Sequence, residues 1–152
     1  MISDFIKPEN IIFELESTSK DELFGEIVEC AVRAVPGLDR WKTVEALNER
    51  EEKMNTNIAP GIAVPHANLD FVKSPVIIIG KSKAGIDYES EDSEPVHLVF
   101  MILFEQGNAG SHLKLLAQCA QLMQRSGFYS SIMEAGSASE ILSIIKKLEE
   151  EA

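Results

Sequence analysis

The sequence predicts an α/β fold, a three-layer α/β/α sandwich, and three observations predict it. Residues 76–80 (VIIIG) and 96–104 (VHLVFMILF) are continuous apolar runs rich in branched side chains, as strands covered on both faces require. Segments of helical period precede and follow these runs, which puts helices on both sides of a sheet. No internal repeat, low-complexity tract or linker divides the 152 residues, and 45% are hydrophobic. A chain of that size buries about two-thirds of the surface its unfolded form exposes, so the expectation is one domain over residues 1–152.

Each element has its own signal. Residues 10–15 (NIIFEL) read as a short strand. Ser19 with Glu22 three positions later is a capping-box pattern for a helix whose Phe24, Ile27, Val28, Ala31, Val32 and Val35 share one face, and Pro36-Gly37 stops it. A second helix runs from Asp39 to about Lys53, with Trp41, Val44 and Leu47 along its buried side and Arg50 flanking that stripe near its end. From Met54 to Ala67 (MNTNIAPGIAVPHA), two prolines, a glycine and two asparagines interrupt any period, so this segment reads as a loop. Its Ile58, Ile62 and Val64 are apolar enough to pin it against the core. After the second apolar run, Glu105-Gln-Gly-Asn-Ala-Gly110 leads into a helix in which Leu113, Leu116, Ala120 and Met123 follow helical spacing, and His112 falls in its first turn. A short amphipathic piece spans residues 128–135. Ser137 and Glu140 then open a last helix buried through Ile141, Ile144, Ile145 and Leu148.

Composition excludes several functions. A formal net charge of −11 with no Lys/Arg cluster disfavours phosphate backbones and anionic lipid, so neither a nucleic acid nor a membrane partner is expected. The first residues lack a basic stretch followed by an apolar one, and no run approaches the roughly 18 apolar residues of a membrane span. Cys30 and Cys119 lie in apolar-periodic stretches and read as buried free thiols, which suits a reducing compartment. The expected setting is therefore the cytoplasm.

Three residues are candidates for chemistry: His66 in the pinned segment GIAVPHA, His112 behind a glycine-containing loop, and Arg50. A nucleophilic imidazole needs a neutral ring, a neighbour that fixes its tautomer, and donors for the charge of an incoming phosphoryl group. Backbone N–H groups near Ser111 and His112 at a helix start would bind phosphate oxygens, and Arg50 would add a forked guanidinium. Zinc bound by the two histidines and Asp70 is not supported: the prolines and glycine before His66 argue against a helix, and no Cys/His pair has ligand spacing. No Gly-x-Ser-x-Gly elbow supports a hydrolase. His97, inside an apolar strand, reads as structural. No cofactor or metal is expected.

Arg50-Glu51, Asn55-Thr56, Gly61-Ile-Ala-Val-Pro-His66, and Ser111-His112-Leu113 with Leu116-Ala117 follow one another in an order that resembles the mannitol/fructose-type IIA domains of the bacterial phosphoenolpyruvate-dependent sugar phosphotransferase system. The nitrogen-regulatory IIA protein belongs to the same family. The resemblance implies a mixed sheet between helical layers. It implies His66 as the residue that accepts a phosphoryl group, as a tele-phosphohistidine, from the small carrier HPr or its nitrogen-branch counterpart. His112 and Arg50 would assist, and Thr56, Asn55 and Ser111 would orient the ring or contact phosphate. The next acceptor would be a cysteine of a IIB domain; in a regulatory member, the phosphorylation state of His66 would instead control a target protein. Such a phosphotransferase component has no independent turnover without its partners. Two departures stand out: Asn55-Thr56-Asn57 where relatives often carry Ser-Thr-Gly, and Ala67 where they often carry glycine.

Overall fold

The sheet is built around one strand. In the computed structural model, which describes residues 1–151, the second apolar run forms β6 (Val96–Glu105) and the first extends into the long β5 (Val76–Ile86). These two pair antiparallel, with Ile77 opposite Ile102 and Ile79 opposite Phe100. On the outer side of β5, β1 (Ile11–Ile12) pairs parallel. On the other side of β6 lie two short parallel strands end to end, β3 (Ile62–Ala63) against Leu98 and Val99, and β4 (His66–Leu69) against residues 102–105. β2 (Asn57–Ala59) pairs antiparallel with β3, so the six-stranded sheet is mixed. Ala152, the last position of the expected domain, lies outside the described residues.

Five helices cover the sheet: α1 (Lys20–Ala34), α2 (Arg40–Lys53), α3 (Ala109–Met123), α4 (Phe128–Glu134) and α5 (Ala138–Glu150). The alternation of β6 divides them between two cores. Leu98, Phe100, Ile102 and Phe104 pack with residues of α3, α4 and α5. Val99, Met101 and Leu103 pack with those of α1 and α2. Each fully buried Ile, Leu or Phe contributes about 1.5–3 kcal/mol through its removal from water, so a strand buried on both faces needs the unbroken apolar run that β6 has. Among the described residues no helix is long and apolar enough to cross a membrane. Cys30 and Cys119 are free and buried.

The helix starts follow the capping pattern with a shift. Ser19 accepts from Glu22 N–H, and Ser137 from Glu140 N–H. The glutamates do not close on the caps themselves: Glu22 accepts from Thr18 N–H and Glu140 from Gly136 N–H, one residue upstream.

Four expectations need correction. The strand read over residues 10–15 is only two residues long, because a 3-10 turn over Pro8–Asn10 ends at Asn10, whose amide donates to Ile77 O. The buried side of α2 is Thr43, Leu47 and Glu51, while Trp41 is 77% exposed. The buried row of α3 is His112, Leu115, Cys119, Leu122 and Met123, while Leu113 is 69% exposed. The loop read from Met54 to Ala67 is half strand, in three short pieces. Ile62 and Val64 are buried as expected, but Ile58 is exposed on β2. β3 and β4 pair with β6, remote in sequence, and β2 pairs only with β3, so local period carries no trace of the pairing. The Pro60-Gly61 turn makes the reversal between β2 and β3: Gly61 has φ +78°, and its carbonyl accepts from both His97 and Leu98 N–H. A Cβ there would lie 2.8 Å from the Tyr129 hydroxyl.

Candidate functional site

His66 is the first residue of β4, and its position follows from pairing. Ile102 N–H donates to Pro65 O at 3.0 Å, and His66 stands in register with Ile102. Alternation therefore turns His66 to the face that carries Phe104 and α3, while Ala67 and Leu69 enter the opposite core. The two rings meet edge to face, with centroids 6.3 Å apart.

The ring's tautomer is set locally. His66 Nδ1 lies 2.8 Å from Val64 O. A carbonyl only accepts, so Nδ1 carries the proton and Nε2 of the neutral ring keeps its lone pair. Nε2 has no hydrogen-bond partner among the described residues. Ser90 Oγ is the only buried side-chain N or O atom there without one, so Nε2 is open to solvent. Burial holds the ring's pKa below the usual histidine value; the Val64 bond opposes this, the Arg50 charge adds to it, and the Glu51 charge opposes it. The result is a half-buried imidazole, neutral at pH 7, with its nucleophilic nitrogen exposed.

Two clefts meet at this ring. One, of about 450 Å³, lies between the C-terminal half of α2 and the first turns of α3, and Arg50, Lys53, His66, Asn68, Phe104, His112 and Leu113 are among its walls. The second, of about 310 Å³, runs along β2 and α3 through Met54, Asn55, Thr56, Ile58, Val64, Leu116, Cys119 and Met123. His66, Arg50 and Leu116 line both. The structure thus brings together the three residues singled out in the sequence. Arg50 is half-buried, and Nη1 donates to Met54 O at 3.1 Å, the carbonyl just past its own helix. That bond leaves most of its donor fork for a ligand.

His112 is 6% exposed and stacks on Phe104, with centroids 4.2 Å apart and 21° between planes. Phe104 thus touches both imidazoles. His112 Nε2 lies 2.7 Å from Glu105 Oε1, so Nε2 is the protonated nitrogen opposite that carboxylate. His112 Nδ1 has no partner among the described residues and, by the same reasoning as for His66, touches solvent.

The three remaining candidates sit differently. Thr56 is 4% exposed; its N–H and hydroxyl both donate to the Glu51 carboxylate, and its carbonyl accepts from Val64 N–H. Its link to His66 is indirect, through Val64. Asn55 donates its amide hydrogens to Tyr88 O and Glu89 O and accepts from Asn57 N–H. Ser111 is exposed and lines neither cleft. Sequence reasoning gave no role to Phe104, Glu105 or Tyr88. Glu105 ends an apolar run and Phe104 is one apolar residue among many, so neither carried a signal. Glu51 did: it falls four residues after Leu47, in a row that the core requires.

The family model described as "Phosphoenolpyruvate-dependent sugar phosphotransferase system, EIIA 2" matches residues 4–148. The chain is 36% identical over 146 residues to the fructose-specific EIIABC component of the phosphotransferase system of Bacillus subtilis, covering 96% of this chain and 23% of that protein. It is 30% identical over 144 residues to a nitrogen regulatory protein of Bradyrhizobium diazoefficiens, covering 95% of this chain and 94% of the relative. Among solved structures, the nitrogen regulatory protein IIA-Ntr of Neisseria meningitidis superposes with a TM-score of 0.88 at 26% identity, over 95% of this chain and 98% of that one. A family match over so much of the sequence, on a fold shared at that TM-score, makes this chain a member of the type 2 EIIA family of the phosphoenolpyruvate-dependent sugar phosphotransferase system.

Proposed function

We propose that the chain is a phosphocarrier that takes a phosphoryl group on His66 Nε2 from the phosphohistidine of an HPr-type carrier and passes it on. The carrying observation is the bond from His66 Nδ1 to Val64 O, which leaves Nε2 as the free, solvent-reached nitrogen of a neutral ring. The Nε2 lone pair attacks phosphorus in line, and the new N–P bond forms as the donor's N–P bond breaks. The donor ring keeps that electron pair and takes a proton. The Nδ1 proton of His66 stays in place, and its bond to Val64 O strengthens as the ring gains positive charge. Arg50 and His112, on opposite walls of the cleft, take up the charge of the equatorial oxygens. Thr56 orients the ring through Val64. The phosphoramidate remains a good donor for a IIB cysteine, with the EIIABC relative as the support for that acceptor.

A second reading has its own support. The chain is 30% identical to a nitrogen regulatory relative, and the IIA-Ntr structure superposes on it with a TM-score of 0.88. In that reading the same chemistry sets the state of His66, and the output is release or capture of a target protein. Both readings place the protein in the cytoplasm, where two buried free thiols persist, and treat residues 1–152 as one working domain.

The test is incubation with phosphoenolpyruvate, enzyme I and an HPr-type carrier of either branch, followed by a search for transfer to a IIB domain. One phosphoryl group should be added to the native chain and none to His66→Ala. Labelling that persists in the variant overturns the assignment.

A further inference from the structure

A second carboxylate stands behind the site, inside the core. Glu51 follows Arg50 on α2 and is 7% exposed. Its oxygens accept from Thr56 N–H at 2.9 and 3.1 Å, from the Thr56 hydroxyl, and from the Tyr88 hydroxyl at 2.6 Å. Lys20 Nζ, from α1, stands 4.0 Å away and also lies over the Tyr88 ring at 4.5 Å. Burying an ionised carboxylate carries a desolvation cost that an apolar side chain in the same row would avoid. Four donors converge on a position that Leu47, one turn earlier, fills with hydrocarbon.

The bonds continue toward the cleft. Val64 N–H donates to Thr56 O at 2.9 Å, and Val64 O holds His66 Nδ1 at 2.8 Å. Thr56 and Val64 are 4% and 3% exposed, so water does not compete for either link. We propose that Glu51 is a positioning residue for His66: through Thr56 and Val64 it fixes the carbonyl that holds Nδ1–H, and its negative charge favours the cationic ring that forms as Nε2 bonds to phosphorus. The assignment rests on His66 as acceptor. Arg50 and Glu51, adjacent in sequence, then act on the ring with opposite signs. The Arg50 charge disfavours a proton on it and the Glu51 charge favours one.

Glu51→Gln keeps the shape and can still serve Thr56 and Tyr88 through its amide, but removes the charge. Nitrogen-15 NMR of the histidine rings reads the tautomer and titration midpoint of His66 without any partner, with His97, bonded to Ser82 O at 2.8 Å, as an internal control. The native chain should show the Nδ1–H tautomer. Glu51→Gln should lower the His66 midpoint, leave His97 unchanged, and slow phosphoryl acceptance about tenfold, the scale of a modest misplacement of a reacting group. Glu51→Asp keeps the charge but is one methylene too short to hold Thr56 and Tyr88 together; its midpoint should stay nearer the native one while acceptance slows. A folded Glu51→Gln chain with native His66 resonances, midpoint and rate overturns the proposal. If that variant does not fold, native behaviour of Glu51→Asp overturns it. A native chain that takes no phosphoryl group would instead refute the carrier reading, while the ring signals would still report whether Glu51 and His66 are linked.

Discussion

Glu105→Gln isolates what His112 contributes to phosphoryl transfer. Glu105 Oε1 lies 2.7 Å from His112 Nε2, with the two side chains 14% and 8% exposed, so the pair is largely shielded from water. With Nε2 committed to the carboxylate, only Nδ1 faces the cleft, and it donates to a phosphoryl oxygen only when it too carries a proton. The donor is then an imidazolium, with Glu105 as its counter-ion. Glutamine keeps the size and accepts the same bond through its amide oxygen but lacks the charge. A hydrogen bond to an ionised partner contributes about 1.5–3 kcal/mol against about 1 kcal/mol for a neutral one. The expected loss is therefore about 0.5–2 kcal/mol, on the order of 2- to 30-fold in rate.

The assay is single-turnover transfer from a phosphorylated HPr-type carrier, quenched at short times and scored as phosphohistidine. Glu105→Gln should reach the native stoichiometry, but slowly. His112→Ala should be slower still. Because Glu105 acts through His112, the double variant should cost no more than His112→Ala alone. Native rates in Glu105→Gln, or two losses that add, would refute the imidazolium argument.

Three further predictions follow from burial. Phosphoryl acceptance by His66 should fall toward acid with its midpoint below about 6.5, the ordinary histidine value, because its proton affinity is depressed; a rate profile with its midpoint at or above that value would contradict this. The same depression makes the stability contribution of His66 complete above that pH and lost as pH falls through the folded value, so His66→Gln should flatten the dependence of the urea midpoint on acid pH. On α2, Leu47→Ala should destabilise by about 2–5 kcal/mol, whereas Trp41→Ala, at a position 77% exposed, should stay within about 0.5 kcal/mol. Chemical denaturation decides between them, and equal losses would mean that the face of the helix is misassigned.

What the sequence displays well is whatever depends on near neighbours. Ser19, Asp39 and Ser137 mark helix starts because each side chain bonds a backbone N–H three residues on. β5 and β6 are readable because burial on both faces demands an unbroken apolar run. β2, β3 and β4 are not, since the partners that make them strands lie on β6 or across a tight turn, and their two to four residues are too few for a period. His66, Arg50 and His112 could be singled out by residue type and order. The atoms that decide their chemistry, Val64 O, Glu105 Oε1 and the ring of Phe104, could not.

The two misread helix faces have one cause, and it bears on the site. On α2 the apolar residues Trp41, Val44 and Leu47 suggest a stripe, yet the buried row is Thr43, Leu47 and Glu51; on α3, Leu113, Leu116 and Ala120 suggest one, yet the buried row is His112, Leu115 and Cys119. In each case the row includes a polar residue that apolar periodicity passes over, and in each that residue lies at the end of the helix that borders the cleft. Burial there is tolerable because partners are supplied, Thr56 and Tyr88 for Glu51, Glu105 and Phe104 for His112. The same rotation that turns Glu51 and His112 inward leaves Arg50 and Leu113 on the walls of the cleft. A helical row that turns a buried charge or imidazole inward near a loop therefore points to chemistry more directly than the apolar stripe beside it points to the core.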